Sequence, residues 1–129
     1  MSYWGAGFLA AGAAWVLNRF VVKYLGESSI IWVIPWLEEI VKTGTAVYSG
    51  ASLLGTHVVF GVIEAVADYA VSPRWGILAG FSGMLSHWFY GLVTVFVYKQ
   101  TSSWLGGILC AGFLHVFWNY AMTRINNKS

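Results

Sequence analysis

Four polar interruptions, KYLGES, YSGAS, VSPRW and YKQTSS, cut this 129-residue chain into five apolar stretches, each about as long as a helix that crosses a bilayer. That spacing leaves little room for another fold. Charged residues are 9% of the sequence and hydrophobic residues 58%, so a water-facing surface could not be covered. The expected fold class is all-α: one integral membrane domain over residues 1–129, a polytopic bundle of about five transmembrane helices. The spans are expected at Tyr3–Val22, Ser29–Ser49, Leu53–Val71, Trp75–Tyr98 and Ser103–Met122. Tyr3, Trp4, Tyr24, Tyr69, Trp75, Tyr98 and Trp104 fall near span ends, as interfacial aromatic belts do. Pro35 lies inside the second span, so a kink or a broken start is expected there.

The opening MSYWGAGFLAAGAAW holds an A-x-A-like stretch with no basic residue before it, so a retained first span is expected. Five alternating spans gather Arg19, Lys23, Arg74, Arg124 and Lys128 on one side and leave only Lys99 on the other. The positive-inside rule then puts the C-terminus in the cytoplasm and the N-terminus outside. A net charge of +2, scattered along the chain, excludes a nucleic-acid partner. The single cysteine, Cys110, permits no internal disulfide and sits in an apolar run, where packing is its expected role.

Against this background PWLEEIVKTG stands out, because three of only seven basic and five acidic residues, Glu38, Glu39 and Lys42, fall inside one apolar span. At about 1.5 Å of rise per residue, Glu38 and Glu39 lie roughly 12–15 Å from the cytoplasmic end. On the same measure Glu64 and His115 lie about 10 Å in and His87 about 18 Å. Four helices of alternating direction thus bring ionisable groups to one layer. Glu38 and Lys42 share a helix face, and so do His57, Gly61, Glu64 and Asp68. Small residues flanking His87 allow close approach of another backbone. Ionisable groups cost about 2.5–3.5 kcal/mol each at mid-membrane, which makes a functional cluster the default reading and structural glue the alternative. His57 is expected at the outer interface, Asp68 in solvent near the site entrance.

Two reaction-capable arrangements fit. Glu64, His87 and His115 can ligate a zinc ion that activates water, with a neighbouring glutamate as base. Without a metal, a glutamate activates water while histidine and asparagine receive the oxyanion of amide hydrolysis. Both make a hydrolase. The same groups could instead bind a proton or metal cation in a transporter, or only fix packing in a non-catalytic membrane adaptor.

The motifs EEIVK at Glu38–Lys42, FGVIE at Phe60–Glu64, His87 in LSHWF and HVFWN at His115–Asn119 resemble the ordered motifs of the PrsW family. That family is grouped with the CAAX prenyl endopeptidases among glutamate-dependent intramembrane proteases. The resemblance runs from Glu38 to Asn119. It implies cleavage of a membrane protein or lipidated peptide near the surface of a bacterial or archaeal cytoplasmic membrane. Residue by residue, it implies Glu38 or Glu39 as the water-activating base and Lys42 as its electrostatic partner. Glu64 matches the PrsW branch where the endopeptidases have histidine, and His87 would be a catalytic or ligand histidine. His115 and Asn119 would form the oxyanion site, although aspartate is more usual at the latter position in PrsW. The chain is shorter than typical members, so a homo-oligomer that completes the helical barrel is one expectation beside a minimal core and a relative without activity.

Overall fold

The structure, a computed structural model, describes residues 1–71 and 73–126, with side chains described for all of these except 71–76 and 126. Among these residues six helices follow one another: α1 Tyr3–Leu25, α2 Ser29–Trp32, α3 Ile34–Ser49, α4 Leu53–Val71, α5 Pro73–Thr101 and α6 Trp104–Asn126. No strand occurs among the described residues. The polar interruptions act as caps. The hydroxyls of Ser2, Ser52 and Ser103 accept from the backbone N–H groups of Gly5, Gly55 and Gly106 at the starts of α1, α4 and α6. Gly50 ends α3 in the left-handed conformation, φ 66°, which only glycine adopts without strain.

Among the described residues, four helices are long and apolar enough to cross a membrane: Tyr3–Leu25, Leu53–Ala70, Ile77–Thr101 and Trp104–Ile125. The second expected span is divided. Its start forms the single turn α2, and after Val33 (φ −113°, ψ −48°) the chain restarts as α3 with Pro35 in the first turn. Proline is tolerated there because its missing N–H would have no helical acceptor. The break that Pro35 foretold therefore falls just ahead of Glu38.

The long helices and α3 alternate in direction and close a ring. α1 packs on α3 and α4, α4 on α5, α5 on α6, and α6 back on α3, while α3 also reaches α4 across the interior. Glycines set how closely these elements approach. A Cβ on Gly107 would lie 2.8 Å from the Thr94 methyl, and one on Gly112 would run into the Trp36 ring. The interior is the reverse of a soluble core. Glu39, Lys42 and His57 are 0% exposed, whereas Phe8 and Phe117 are 62% and 70% exposed on the outer surface. Large apolar side chains facing outward and charges facing inward suit lipid as the surrounding solvent. Arg19, Lys23 and Arg124 lie toward one end of the ring and Lys99 toward the other. The Arg74 and Trp75 side chains and Lys128 are outside the described residues.

Candidate active site

The site is assembled around the pair α4–α5 and the helix α3 that reaches them. α4 carries His57 and Gly61, α5 carries His87 and Gly91, and the two helices pair each histidine with the other's glycine. A Cβ on Gly61 would lie 2.9 Å from the His87 Cβ, and a Cβ on Gly91 would lie 2.9 Å from that of His57. Each glycine is thus a notch that lets an imidazole reach inward.

Between the two imidazoles lies the Glu39–Lys42 ion pair, Nζ to Oε1 2.6 Å, with both side chains fully buried. The lysine also lies 2.8 Å from His87 Nδ1 and 4.5 Å from the centre of the Phe60 ring. A lysine ammonium can only donate, so His87 Nδ1 accepts and its ring hydrogen belongs to Nε2. That nitrogen donates to Glu64 Oε2. Both nitrogens of His87 are therefore committed.

His115 is held differently. Its Nδ1 lies 3.1 Å from Glu39 Oε1, and a carboxylate oxygen accepts, so Nδ1 carries the hydrogen. In the neutral ring Nε2 is then the acceptor, and it lies 3.8 Å from Glu38 Oε2. The other Glu38 oxygen accepts from Asn18 Nδ2 at 2.8 Å, while Oε2 is buried with no hydrogen-bond partner among the described residues. Glu39 Oε2 is likewise without a partner and lies 3.8 Å from His57 Nδ1. The Tyr90 ring stacks on His115, centroids 4.8 Å apart, and meets His87 edge-on.

A cavity of about 730 Å³ opens over this cluster, toward the end of the ring that carries Arg19 and Lys23. Glu38, Glu64, His87 and His115 form its deep wall, and Asn18, Asp68 and Asn119 stand around it.

The structure gathers six of the seven sequence-derived site residues, Glu38, Glu39, Lys42, Glu64, His87 and His115, into one connected set. Asn119 lines the same cavity, and its Nδ2 donates to the Ile30 carbonyl at 3.0 Å, tying α6 to α2. Asp68 is exposed on the cavity wall, as expected. His57 departs from its expected place at the interface. It is completely buried against Glu39 and Thr43, because Gly91 admits it between α3 and α5. Sequence reasoning missed Asn18 and Tyr90. Asn18 lies one turn before the expected end of the first span, nearer the membrane surface by count than the other groups, yet it reaches Glu38; Tyr90 lies one turn beyond His87 on the same face.

Among the described residues, the three ligand atoms that lie together belong to Glu38, His87 and His115, all within 4.8 Å of one another, with Glu38 where the sequence reading placed Glu64. Two imidazoles and a carboxylate with an unpartnered oxygen fit a zinc-type ion in donor chemistry. Such an ion would supply Lewis-acid polarisation and activation of a bound water.

Comparison of the chain with protein-family models, with curated proteins and with solved structures found no match.

Proposed function

We propose that this chain is an intramembrane endopeptidase of the PrsW-like, CAAX-endopeptidase-related type. In this reading α2–α3 counts as a fifth, broken span, the N-terminus lies outside, and the C-terminus lies in the cytoplasm of a bacterial or archaeal cell. The substrate is a membrane protein or lipidated peptide cut near the cytoplasmic surface. One observation carries the reading: a buried carboxylate oxygen of Glu38, unpartnered among the described residues, lies 3.8 Å from His115 Nε2 beside a large cavity.

Two acceptors at that separation can be bridged by one water making two ordinary hydrogen bonds of about 2.8 Å. A water admitted there as the Glu38 carboxylate turns toward the cavity donates to Glu38 Oε2 and to His115 Nε2, with a lone pair directed into the cavity. Glu38 takes the proton as the water oxygen bonds to the scissile carbonyl carbon. The same proton passes to the departing amine nitrogen as the C–N bond breaks. Glu39 and Lys42 do not touch the substrate in this scheme. Their pair fixes the tautomer of His115 and the orientation of His87, and Asn119 is the candidate donor to the oxyanion. If zinc is bound, Glu38, His87 and His115 hold it, and His87 exchanges one of its present partners.

The test compares new protein N-termini in membranes from cells making the wild type or Glu38→Gln at equal levels. Cleavages confined to the wild type are expected. Identical profiles across a well-covered membrane proteome would overturn the reading. The close grouping of Glu38, His87 and His115 also favours a second reading, a cation-binding transporter. Flux into proteoliposomes that depends on Glu64, without cleavage, would select it.

A further inference from the structure

The second half of α1 carries charges that the buried centre does not use. Trp15, Arg19 and Lys23 follow one another four residues apart and form one ridge of the helix, and Val16 and Phe20 form the next. All five are exposed. Between the two ridges runs a groove of about 400 Å³. Trp15, Arg19 and Lys23 also line the main cavity, so this cationic ridge is the lip between the cavity mouth and the outer surface of the bundle.

Both cations are supported by rings but not neutralised. The Arg19 guanidinium lies 4.7 Å from the centre of the Trp15 ring, and the Lys23 ammonium lies 5.4 Å from that of Tyr24. Neither forms an ion pair among the described residues. Arg124, in the last turn of α6, differs: its Nε donates to the Tyr120 hydroxyl at 3.2 Å. Arg19 and Lys23 thus keep their N–H donors for a partner outside the chain.

Charge and depth together choose that partner. Lys23 lies in the last turn of α1, a helix long and apolar enough to cross a membrane, and Arg19 lies one turn deeper. Side chains of this length reach back to the level of the lipid headgroups. Trp15, Val16 and Phe20 remain beside the cations as an apolar floor. A soluble anion would leave that floor uncovered, and a zwitterionic lipid brings its own cation to its phosphate. An anionic phospholipid supplies an uncompensated phosphate for the two cations and hydrocarbon for the floor.

We propose that the Trp15–Lys23 face of α1 is a binding site for an anionic phospholipid, with its phosphate on Arg19 and Lys23 and an acyl chain along Val16 and Phe20. The site does not depend on the endopeptidase reading, because the lipid forms part of the cavity's rim whatever chemistry the cavity performs.

The test uses the full chain in phosphatidylcholine liposomes that hold a trace of photoreactive lipid. The probes are phosphatidylglycerol and phosphatidylcholine with the same diazirine-bearing acyl chain, and adducts are located by mass spectrometry of peptides. Adducts between Trp15 and Tyr24 are expected to be several-fold more abundant with phosphatidylglycerol. Unlabelled phosphatidylglycerol should displace them and inorganic phosphate should not. Arg19→Gln with Lys23→Gln should bring labelling down to the phosphatidylcholine level, whereas Lys99→Gln, toward the other end of the ring, should leave it unchanged. Equal labelling by the two lipids in the wild type overturns the proposal, and that comparison needs no variant to fold. So do displacement by phosphate, which marks a free-anion site, persistence of labelling in the double variant, and an equal loss in Lys99→Gln, which marks bulk charge.

Discussion

His115 Nδ1 donates to Glu39 Oε1 across 3.1 Å, and this one hydrogen bond decides which histidine nitrogen meets the cavity. It also separates the roles of two adjacent glutamates. Glu38→Gln is expected to leave the fold intact and to reduce cleavage by roughly 10²–10⁴-fold, the usual worth of a general base. Glu39→Leu is expected to fail earlier, at folding, because Lys42 would remain buried without its counter-charge. Loss of one partner of a buried pair costs about 3–5 kcal/mol. Thermal unfolding in detergent, read beside cleavage of an identified substrate, checks both halves.

Replacing both members of that pair tests whether it serves chemistry or stability. Glu39→Leu with Lys42→Met removes the buried charges together, and apolar replacements of buried pairs are often neutral or stabilising by about 1–4 kcal/mol. The double variant is therefore expected to melt well above Glu39→Leu alone. It should remain inactive, since His115 would lose the hydrogen bond that sets its tautomer and His87 the one from Lys42 that helps to orient it. Recovery of cleavage along with stability would remove the pair from the mechanism.

The glycine notches make a third prediction. Gly61→Ala and Gly91→Ala each place a methyl 2.9 Å from a histidine Cβ, closer than carbon atoms pack, and overpacking of this kind costs about 1–3 kcal/mol. Gly44→Ala and Gly83→Ala meet nothing within 4 Å, so the helix preference of alanine should appear there as a gain of about 0.5–1 kcal/mol. Melting temperatures of the four variants should fall into two groups of opposite sign.

A metal titration gives the fourth. Cobalt(II) is expected to bind the purified protein with one high-affinity site, and its visible spectrum should be lost in Glu38→Gln and in His115→Ala. Glu64→Ala should tighten binding, because it frees the His87 nitrogen that Glu64 now holds. Unchanged spectra in all three variants would place any bound metal elsewhere.

Most of the bundle was legible because a bilayer imposes length. Leu53–Val71 is the fourth helix end to end, and Tyr3–Leu25 extends the first expected span by less than a turn. Pro35 announced the break in the second. The common depth of Glu38, Glu64, His87 and His115 was readable from helix rise alone. Counting along one helix, however, gives distance from that helix's end and says nothing of what neighbouring helices cover. His57 was misplaced for that reason: only five residues into α4, it is nonetheless enclosed by α3 and α5. Asn18 and Tyr90 carry no charge and so give no signal in an apolar span, although both stand beside the ionisable groups. The unequal ties of Glu38 and Glu39 depend on side-chain direction around one turn of α3, which no spacing rule resolves.

The crossed pairing of two histidines with two glycines makes α4 and α5 mechanical equals. HVVFG on one helix and HWFYG on the other run antiparallel, so the two contacts are related by a local twofold axis. Any slide of one helix along the other pulls His57 out of the Gly91 notch and His87 out of the Gly61 notch in the same motion. The ion pair between them loses both imidazoles or neither. A half-assembled centre has no place in such a hairpin, and the charges that are costly in a bilayer come into register in a single snap.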